Sequence, residues 1–369
     1  MTEFHSDKFS WEMRQGDALS EMSSMPADSV DTICTSPPYW GQRDYGVDGQ
    51  LGLELTPVEY LDHLWAIFDG CRRVLKPTGC CFVVIDDTYA GSFGKPDVPN
   101  QCRCMIPERF AWGMIGRGWW LRNDGCWQKP NSLPESVKRR FSCTWEHVYY
   151  FTKSNSQRFD LDAIRIPVKY PDRTYGSGEN HKTAQLSEQG NRSTAALHDG
   201  RESYTHPFGK NPGDVFTIST VPFPSAHFAV YPPTLIRPLI LSGCPPKVCV
   251  ECGKPWERIV EEGELVDHPD RKDRNVAAVQ FKDDHYEAGG TLGKIRERKT
   301  IGWQPTCECG GEMEPGTTLD PFSGAGTTGL VCVEEDRNYI GIELSAEYCE
   351  MQRKRLEKAT RQKQHKLEL

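Results

Sequence analysis

The segment TTLDPFSGAGTTGLVCVEEDRNYIGIEL, residues 317 to 344, constrains the fold more than any other stretch of the chain. An apolar run ending at Asp320 leads straight into Gly324, Gly326 and Gly329 in G-x-G-x-x-G spacing. An apolar stretch of helical character follows, then a second run, Tyr339-Ile340-Gly341-Ile342, that ends in Glu343. Strand, glycine turn, helix, strand and terminal acid form a nucleoside-binding unit: the turn lets a ligand approach the backbone, and the acid accepts both hydroxyls of a ribose. Two cofactor classes present adenosine to such a unit, the nicotinamide or flavin dinucleotides and S-adenosylmethionine. A Walker-type phosphate loop is excluded, because no Gly-Lys in the chain is followed by Ser or Thr.

The rest of the chain is patterned to match. From Met13 to Phe159, apolar runs such as CCFVVI alternate with stretches at helical spacing, for example Leu61, Leu64, Trp65, Phe68, Cys71, Val74 and Leu75. This alternation predicts an α/β fold, a doubly wound and mostly parallel sheet, interrupted by two irregular insertions. Residues 10–159 form one half of the domain and 160–213 a variable insertion rich in Asn, Ser, Thr, Gly and His. A short strand and helix follow at 214–243, an insertion containing paired cysteines at 244–314, and the glycine unit with a C-terminal helix at 315–369.

Composition narrows the partners. The chain has 369 residues, a net charge of -8 and no apolar stretch long enough to span a bilayer, so a soluble, cytosolic protein with no membrane contact is expected. An acidic average leaves nucleic-acid binding to a local patch. Residues 117–140 supply one: Arg117, Arg122, Lys129, Lys138, Arg139 and Arg140 face only Asp124 and Glu135, and Trp119, Trp120 and Trp127 are interleaved. Most of the fifteen cysteines are scattered through apparent strands and helices, which suits a reducing compartment. Cys249-x-x-Cys252 and Cys307-x-Cys309 instead have the spacing of a structural zinc knuckle, with free thiols in a flexible insert as the alternative.

One further motif turns this frame into a chemistry. Residues 34–40 read CTSPPYW, a stiff turn after the apolar run that ends at Cys34. Together, TSPPY at 35–39, DPFSGAGTTG at 320–329 and GIEL at 341–344 resemble the motifs of the amino-methylating DNA methyltransferases, which modify N4 of cytosine or N6 of adenine. The catalytic motif precedes the cofactor motif, as in that family's β group. The resemblance implies S-adenosylmethionine as cofactor and double-stranded DNA as partner, with a cognate restriction enzyme as a further possible partner. The oligomeric state is left open.

Carried over residue by residue, the resemblance places Ser36, Pro37, Pro38 and Tyr39 in the catalytic pocket, with Ser36 and Pro37 accepting the amine hydrogens and Tyr39 stacking on a base taken out of the duplex. Trp40 adds a second aromatic surface or simply packs. It places Asp17 beside the cofactor's adenine, unless that residue only caps a turn, and Phe322 against the adenine. Asp320 falls near the cofactor's amino-acid moiety, Gly324, Gly326, Thr327 and Glu343 around the rest of it, and His227 in the motif HFAVYP that completes the methionine pocket. Serine before Pro-Pro leans towards cytosine N4 over adenine N6, although Cys34 stands where the N4 pattern has a larger aliphatic residue. Methylation at ring carbon 5 is excluded, because its cysteine nucleophile usually follows proline and no Pro-Cys occurs. Open alternatives are an RNA or protein N-methyltransferase, a nicotinamide-dependent oxidoreductase, and a non-catalytic DNA-binding module.

Overall fold

The run Cys80-Cys81-Phe82-Val83-Val84-Ile85 is buried throughout, and its alternate side chains enter two different cores. Cys81, Val83 and Ile85 pack in one, Cys80, Phe82 and Val84 in the other. A strand with period-two side chains can be apolar on both faces only if both are covered, which is why this segment reads as a continuous apolar run.

The structure is a computed structural model that describes residues 2–6, 8–91, 93–166, 209–221, 230–267 and 294–367. Its strands are β1 (Thr2–His5), β2 (Ser10–Gln15), β3 (Val30–Thr35), β4 (Leu75–Ile85), β5 (Trp120–Gln128), β6 (Trp145–Thr152), β7 (Val215–Thr217), β8 (Val248–Cys249), β9 (Glu257–Asp267), β10 (Lys294–Gln304), β11 (Met313–Glu314), β12 (Thr317–Asp320) and β13 (Asn338–Glu343). The helices are α1 (Ala18–Ser23), α2 (Pro57–Val74), α3 (Ile106–Gly116), α4 (Pro233–Gly243), α5 (Thr327–Glu334) and α6 (Ala346–Leu367). Among the described residues, no helix is long and apolar enough to cross a membrane.

The chain divides into two units. The first, residues 1–164, 213–257 and 304–369, holds a nine-stranded sheet in the order β1-β2-β13-β12-β3-β4-β6-β5-β7. Its centre, β2 to β4, is parallel throughout. One core gathers residues of α1, α2 and α3, such as Met22, Phe68 and Phe110, and the other gathers α4, α5 and α6, such as Ile236, Val331 and Leu356. This is the doubly wound arrangement expected. Within the second unit, residues 165–212 and 258–303, β9 and β10 pair and Ile166 bridges Lys210.

Three features depart from the sequence pattern. β5 occupies part of the basic, tryptophan-rich segment, and Trp119 and Trp127 are buried there, so only Trp120 of the three is exposed. β6 runs antiparallel to both β4 and β5, because β5 and β6 form a hairpin added to the parallel sheet. Residues 244–314, read as irregular, contain β9 and β10, each of 11 residues. Charged residues spread along both strands, among them the run Arg296-Glu297-Arg298-Lys299, hide any apolar pattern. Most of the variable insertion, 167–208, and the charged middle of the second, 268–293, lie outside the described residues.

Two helix starts illustrate the local rules. Thr56 and Glu59 form a reciprocal capping box on α2, with Pro57 at its first position. The start of α3 has no cap from its own flanking residue. Asp87, from the end of β4, supplies it instead: Oδ2 accepts from Arg103 (2.8 Å) and the Met105 N–H (3.0 Å), and Oδ1 from the Ile106 N–H (3.0 Å). Removing a buried carboxylate with three donors strands all three. Asp87→Ala is therefore expected to cost about 3 kcal/mol or more, against about 1 kcal/mol for Thr56→Ala, an order that urea unfolding of the two variants checks.

Candidate active site

Strands β3 and β12 are parallel neighbours, with Thr32 opposite Thr318 and Ile33 opposite Leu319. The loops that leave their C-terminal ends, Ser36-Pro37-Pro38-Tyr39 and Pro321-Phe322-Ser323-Gly324, therefore emerge side by side at the sheet edge where α/β folds bind ligands. A hydrogen bond between strand ends locks the pair: the Thr35 hydroxyl donates to Asp320 Oδ1 (2.6 Å). Asp320 also accepts from the Phe322 N–H (3.1 Å) and the Tyr231 hydroxyl (3.1 Å). Burial raises its pKa, against these donors. Asp320 does not line the cavity described next. It was expected beside the cofactor, and it stands behind the wall as the tether of both loops.

The two loops open on one continuous cavity of about 840 Å³. At one end lie Asp17, Phe322, Gly324, Thr327 and Glu343. The Glu343 carboxylate accepts from the Gly324 N–H at Oε2 (2.8 Å) and the Ser345 N–H at Oε1 (2.8 Å). Each oxygen keeps a lone pair for a further donor such as a ribose hydroxyl. Burial raises the pKa of this carboxyl, and the two N–H donors oppose the rise. Asp17 caps α1 through the Ser20 N–H (2.9 Å), and the same residue lines the cavity.

The three glycines have different tasks. Gly324 has φ of 49°, and a Cβ there would approach only the Phe322 carbonyl at 3.9 Å, so the backbone offers an open cradle. Gly326 does not line the cavity: a Cβ there would meet Gln352 Cγ at 2.4 Å. At Gly329 it would meet the Tyr339 ring at 2.5 Å, the close helix–strand approach that this spacing serves. An open cradle, an aromatic wall and a carboxylate with spare lone pairs fit adenosine.

Ser36, Pro37, Pro38 and Tyr39 line the other end, together with Asp86, Lys129 and Glu146. The hydroxyls form a relay: Ser36 Oγ donates to Tyr39 Oη (3.2 Å), and Tyr39 Oη donates to Glu146 Oε2 (2.6 Å). Lys129 Nζ bonds the other Glu146 oxygen. Tyr60 donates to the Pro38 carbonyl (2.8 Å) and fixes the turn from below. Burial, then the nearby Glu146 charge, pushes the Asp86 carboxyl up to about 6. Burial and Glu146 also raise the Tyr39 hydroxyl well above its ordinary value. Trp40 is buried and donates to the Glu54 carbonyl (2.9 Å), so it packs and presents no second aromatic surface.

Asp86, Glu146 and Lys129 were not singled out for this pocket. Asp86 was within reach of sequence reading, since it ends an apolar run at the same edge as Ser36. Glu146 was not. It lies at the start of its strand, and only the antiparallel pairing of β6 with β4, Ile85 opposite His147, carries it to an edge made of strand ends. Val230 and Tyr231 of HFAVYP also line the cavity, whereas His227 lies outside the described residues. Away from the cavity, Cys249, Cys252, Cys307 and Cys309 come together, with sulfurs within 4.8 Å of one another.

Comparison with known proteins agrees with this geometry. The family described as DNA methylase matches residues 30–250 and 312–354, spanning both loops of the cavity. The chain is 31% identical over 363 residues to the Type II methyltransferase M.Cfr9I of Citrobacter freundii, covering 93% of this chain and 86% of that protein. It is 30% identical over 363 residues, with the same coverage, to the Type II methyltransferase M.XycI of Xanthomonas campestris pv. cyanopsidis. Among solved structures, the PvuII DNA methyltransferase (cytosine-N4-specific) shares the fold, with a TM-score of 0.53 and 19% identity over 95% of this chain and 90% of that one. The chain belongs to the DNA methylase family and is an S-adenosylmethionine-dependent methyltransferase of the group that modifies N4 of cytosine or N6 of adenine in DNA.

Proposed function

We propose that the protein is a site-specific Type II enzyme that methylates the exocyclic N4 amine of cytosine in a base turned out of duplex DNA. The observation that carries this reading is the single cavity joining the Glu343 and Phe322 end to the Ser36–Tyr39 end. The residue that leans it to cytosine is Ser36, where an adenine enzyme of this group tends to carry Asp or Asn. The Type II names of the relatives support a role beside a restriction enzyme of the same site.

The bound cofactor supplies an electrophilic methyl group on a sulfonium. The chain's task is to make a poor nucleophile attack it. An exocyclic amine delocalises its lone pair into the ring, so acceptors must draw its hydrogens out of plane. Because Ser36 gives its own proton to Tyr39, its oxygen lone pairs remain available to accept an amine hydrogen. Glu146 anchors the relay, and Lys129 balances that charge. Asp86 is the remaining carboxylate at this end, and with a pKa near 6 it is placed to take the proton the amine loses on methylation.

The loop after β5 supplies the DNA side. It leaves the cavity at Lys129 and presents Leu133 (88% exposed), Lys138, Arg139 and Phe141 (95% exposed) before returning at Glu146. Basic groups suit phosphate, and an exposed apolar side chain suits the gap left by an extruded base. Other members of the basic patch are engaged within the protein: Arg117 pairs with Asp69, and Arg140 pairs with Glu135 and lies over the Tyr89 ring.

Methyl-labelled cofactor incubated with unmethylated DNA is expected to place label on N4-methylcytidine, and Ser36→Ala is expected to lower kcat about 100-fold or more with cofactor affinity retained. Label on N6-methyladenosine alone would overturn the choice of base. Label on RNA or protein and none on DNA would overturn the acceptor.

Asp86 yields a second, two-sided prediction. Its folded pKa of about 6 lies above the usual carboxylate value, so between the two values the native state holds a proton that the unfolded chain has released. Stability therefore falls as pH rises through that window, and ionised Asp86 costs on the order of 3 kcal/mol above it. The wild type is expected to lose kcat below about pH 6, and Asp86→Asn is expected to abolish that loss, to slow turnover about tenfold or more and to raise the unfolding temperature at pH 8. Thermal melts and a pH–rate profile of both proteins check it.

A further inference from the structure

Among the described residues, the cavity and the basic loop leave one cluster of metal-ligating side chains without a role. Cys249 and Cys252 lie in one turn, Cys307 and Cys309 in another, and their four sulfurs sit within 4.8 Å of one another. Backbone hydrogen bonds shape both turns before any ligand arrives. The Gly253 N–H donates to the Cys249 carbonyl (2.8 Å), and the Cys249 N–H to the Lys254 carbonyl (2.9 Å). The Lys254 N–H donates to the Cys252 sulfur, and the Cys309 N–H to the Cys307 sulfur. Gly253 and Gly310, with φ of 67° and 66°, follow the second cysteine of each turn, where a side chain would strain the backbone. Cys249 of β8 stands opposite Met313 of β11, and the Val250 N–H donates to the Glu312 carbonyl (3.0 Å), so strand pairing holds the two turns face to face.

We infer that these four thiols bind one zinc ion in a closed, structural site. Sulfurs bound to zinc at about 2.3 Å in a tetrahedron lie roughly 3.8 Å apart, a spacing that this cluster reaches by small side-chain rotations. An all-thiolate set selects a soft or borderline ion such as zinc over magnesium or calcium. The alternative is four free thiols crowded together, two of them, Cys252 and Cys309, exposed, whereas free cysteine ordinarily packs in a core. As the metal binds, the thiols release their protons to solvent and no oxidation is involved. With four sulfurs as ligands no coordination position is open, so the ion takes no part in methyl transfer. Its effect is on chain connectivity: β9 follows the first turn and β10 precedes the second, so the ion closes the chain across residues 253–306. Long closed loops are where such a clip reduces the freedom of the unfolded chain most.

The test uses the full chain purified under reducing conditions without chelators. Metal analysis is expected to find about one zinc per chain, falling to near none in the Cys252→Ser/Cys309→Ser double variant. Exchange into cobalt is expected to give the thiolate-to-metal charge-transfer band and strong visible bands of a tetrahedral cobalt–sulfur centre. That readout does not depend on how well the variant folds. Zinc-free protein whose thiols give no charge-transfer band with added cobalt would overturn the site, as would a metal-free chain with a Cys249–Cys252 disulfide. DNA methylation is scored separately, so either result leaves the catalytic reading to its own test.

Discussion

The adjacency of β3 and β12, two short parallel strands, is the constraint on which the active site depends. Their residues are 285 positions apart where Thr35 donates to Asp320, and that bond joins the loop bearing Ser36 to the loop bearing Phe322 and Gly324. A second buried carboxylate holds the opposite ends of the same strands: Asp31 of β3 accepts from the Thr317 N–H of β12 (2.9 Å) and from Lys76 (2.8 Å). With both ends fixed, the register cannot slip, and a slip of one residue would turn every side chain on β12 to the wrong face. Methyl transfer needs two ligands within bonding distance of each other, so this rigidity is the first thing the fold supplies to catalysis.

The second is an unusual concentration of carboxyl groups. Asp86, Glu146, Asp320 and Glu343 lie at or behind one edge of one sheet. Burial favours the neutral form of Asp86, Asp320 and Glu343, and the structure opposes it differently in each case. Asp320 and Glu343 are held by several donors from backbone and hydroxyl groups, as suits residues that must keep a fixed shape. Glu146 has Lys129 and Tyr39. Asp86 has one backbone donor, the Asp87 N–H, and burial, then the Glu146 charge, pushes its carboxyl up to about 6. An acid–base group is useful when left undersolvated, and structural carboxylates are useful when fully satisfied.

Much of this was legible in the chain because it is written in local chemistry. The glycine spacing, Glu343 at the end of its strand, the Ser-Pro-Pro-Tyr turn and the apolar run of β4 each depend on a few consecutive residues. The tryptophans at 119 and 127 misled for the opposite reason: interleaving with arginines suggests a binding face, and only the packed fold shows that both are buried, Trp119 in one core and Trp127 in the other. Asp320 was legible as important and not as a tether, since its partners Thr35 and Tyr231 come from distant segments. Strands β9 and β10 were missed because charged residues are spread along both.

The amino-acid sequence by itself determined the class of chemistry: a glycine turn between strand and helix, a stiff Ser-Pro-Pro-Tyr turn carrying a hydroxyl, and two pairs of cysteines. Turn geometry and side-chain chemistry act over a handful of residues, so they survive without knowledge of the fold. Tertiary structure alone decided that the two loops share one cavity, that Glu146 and Lys129 enter it from an antiparallel hairpin, and that the four cysteines meet. Those outcomes depend on which strands pair and in which direction, a choice made by burying two whole faces of a sheet at once rather than by any short segment.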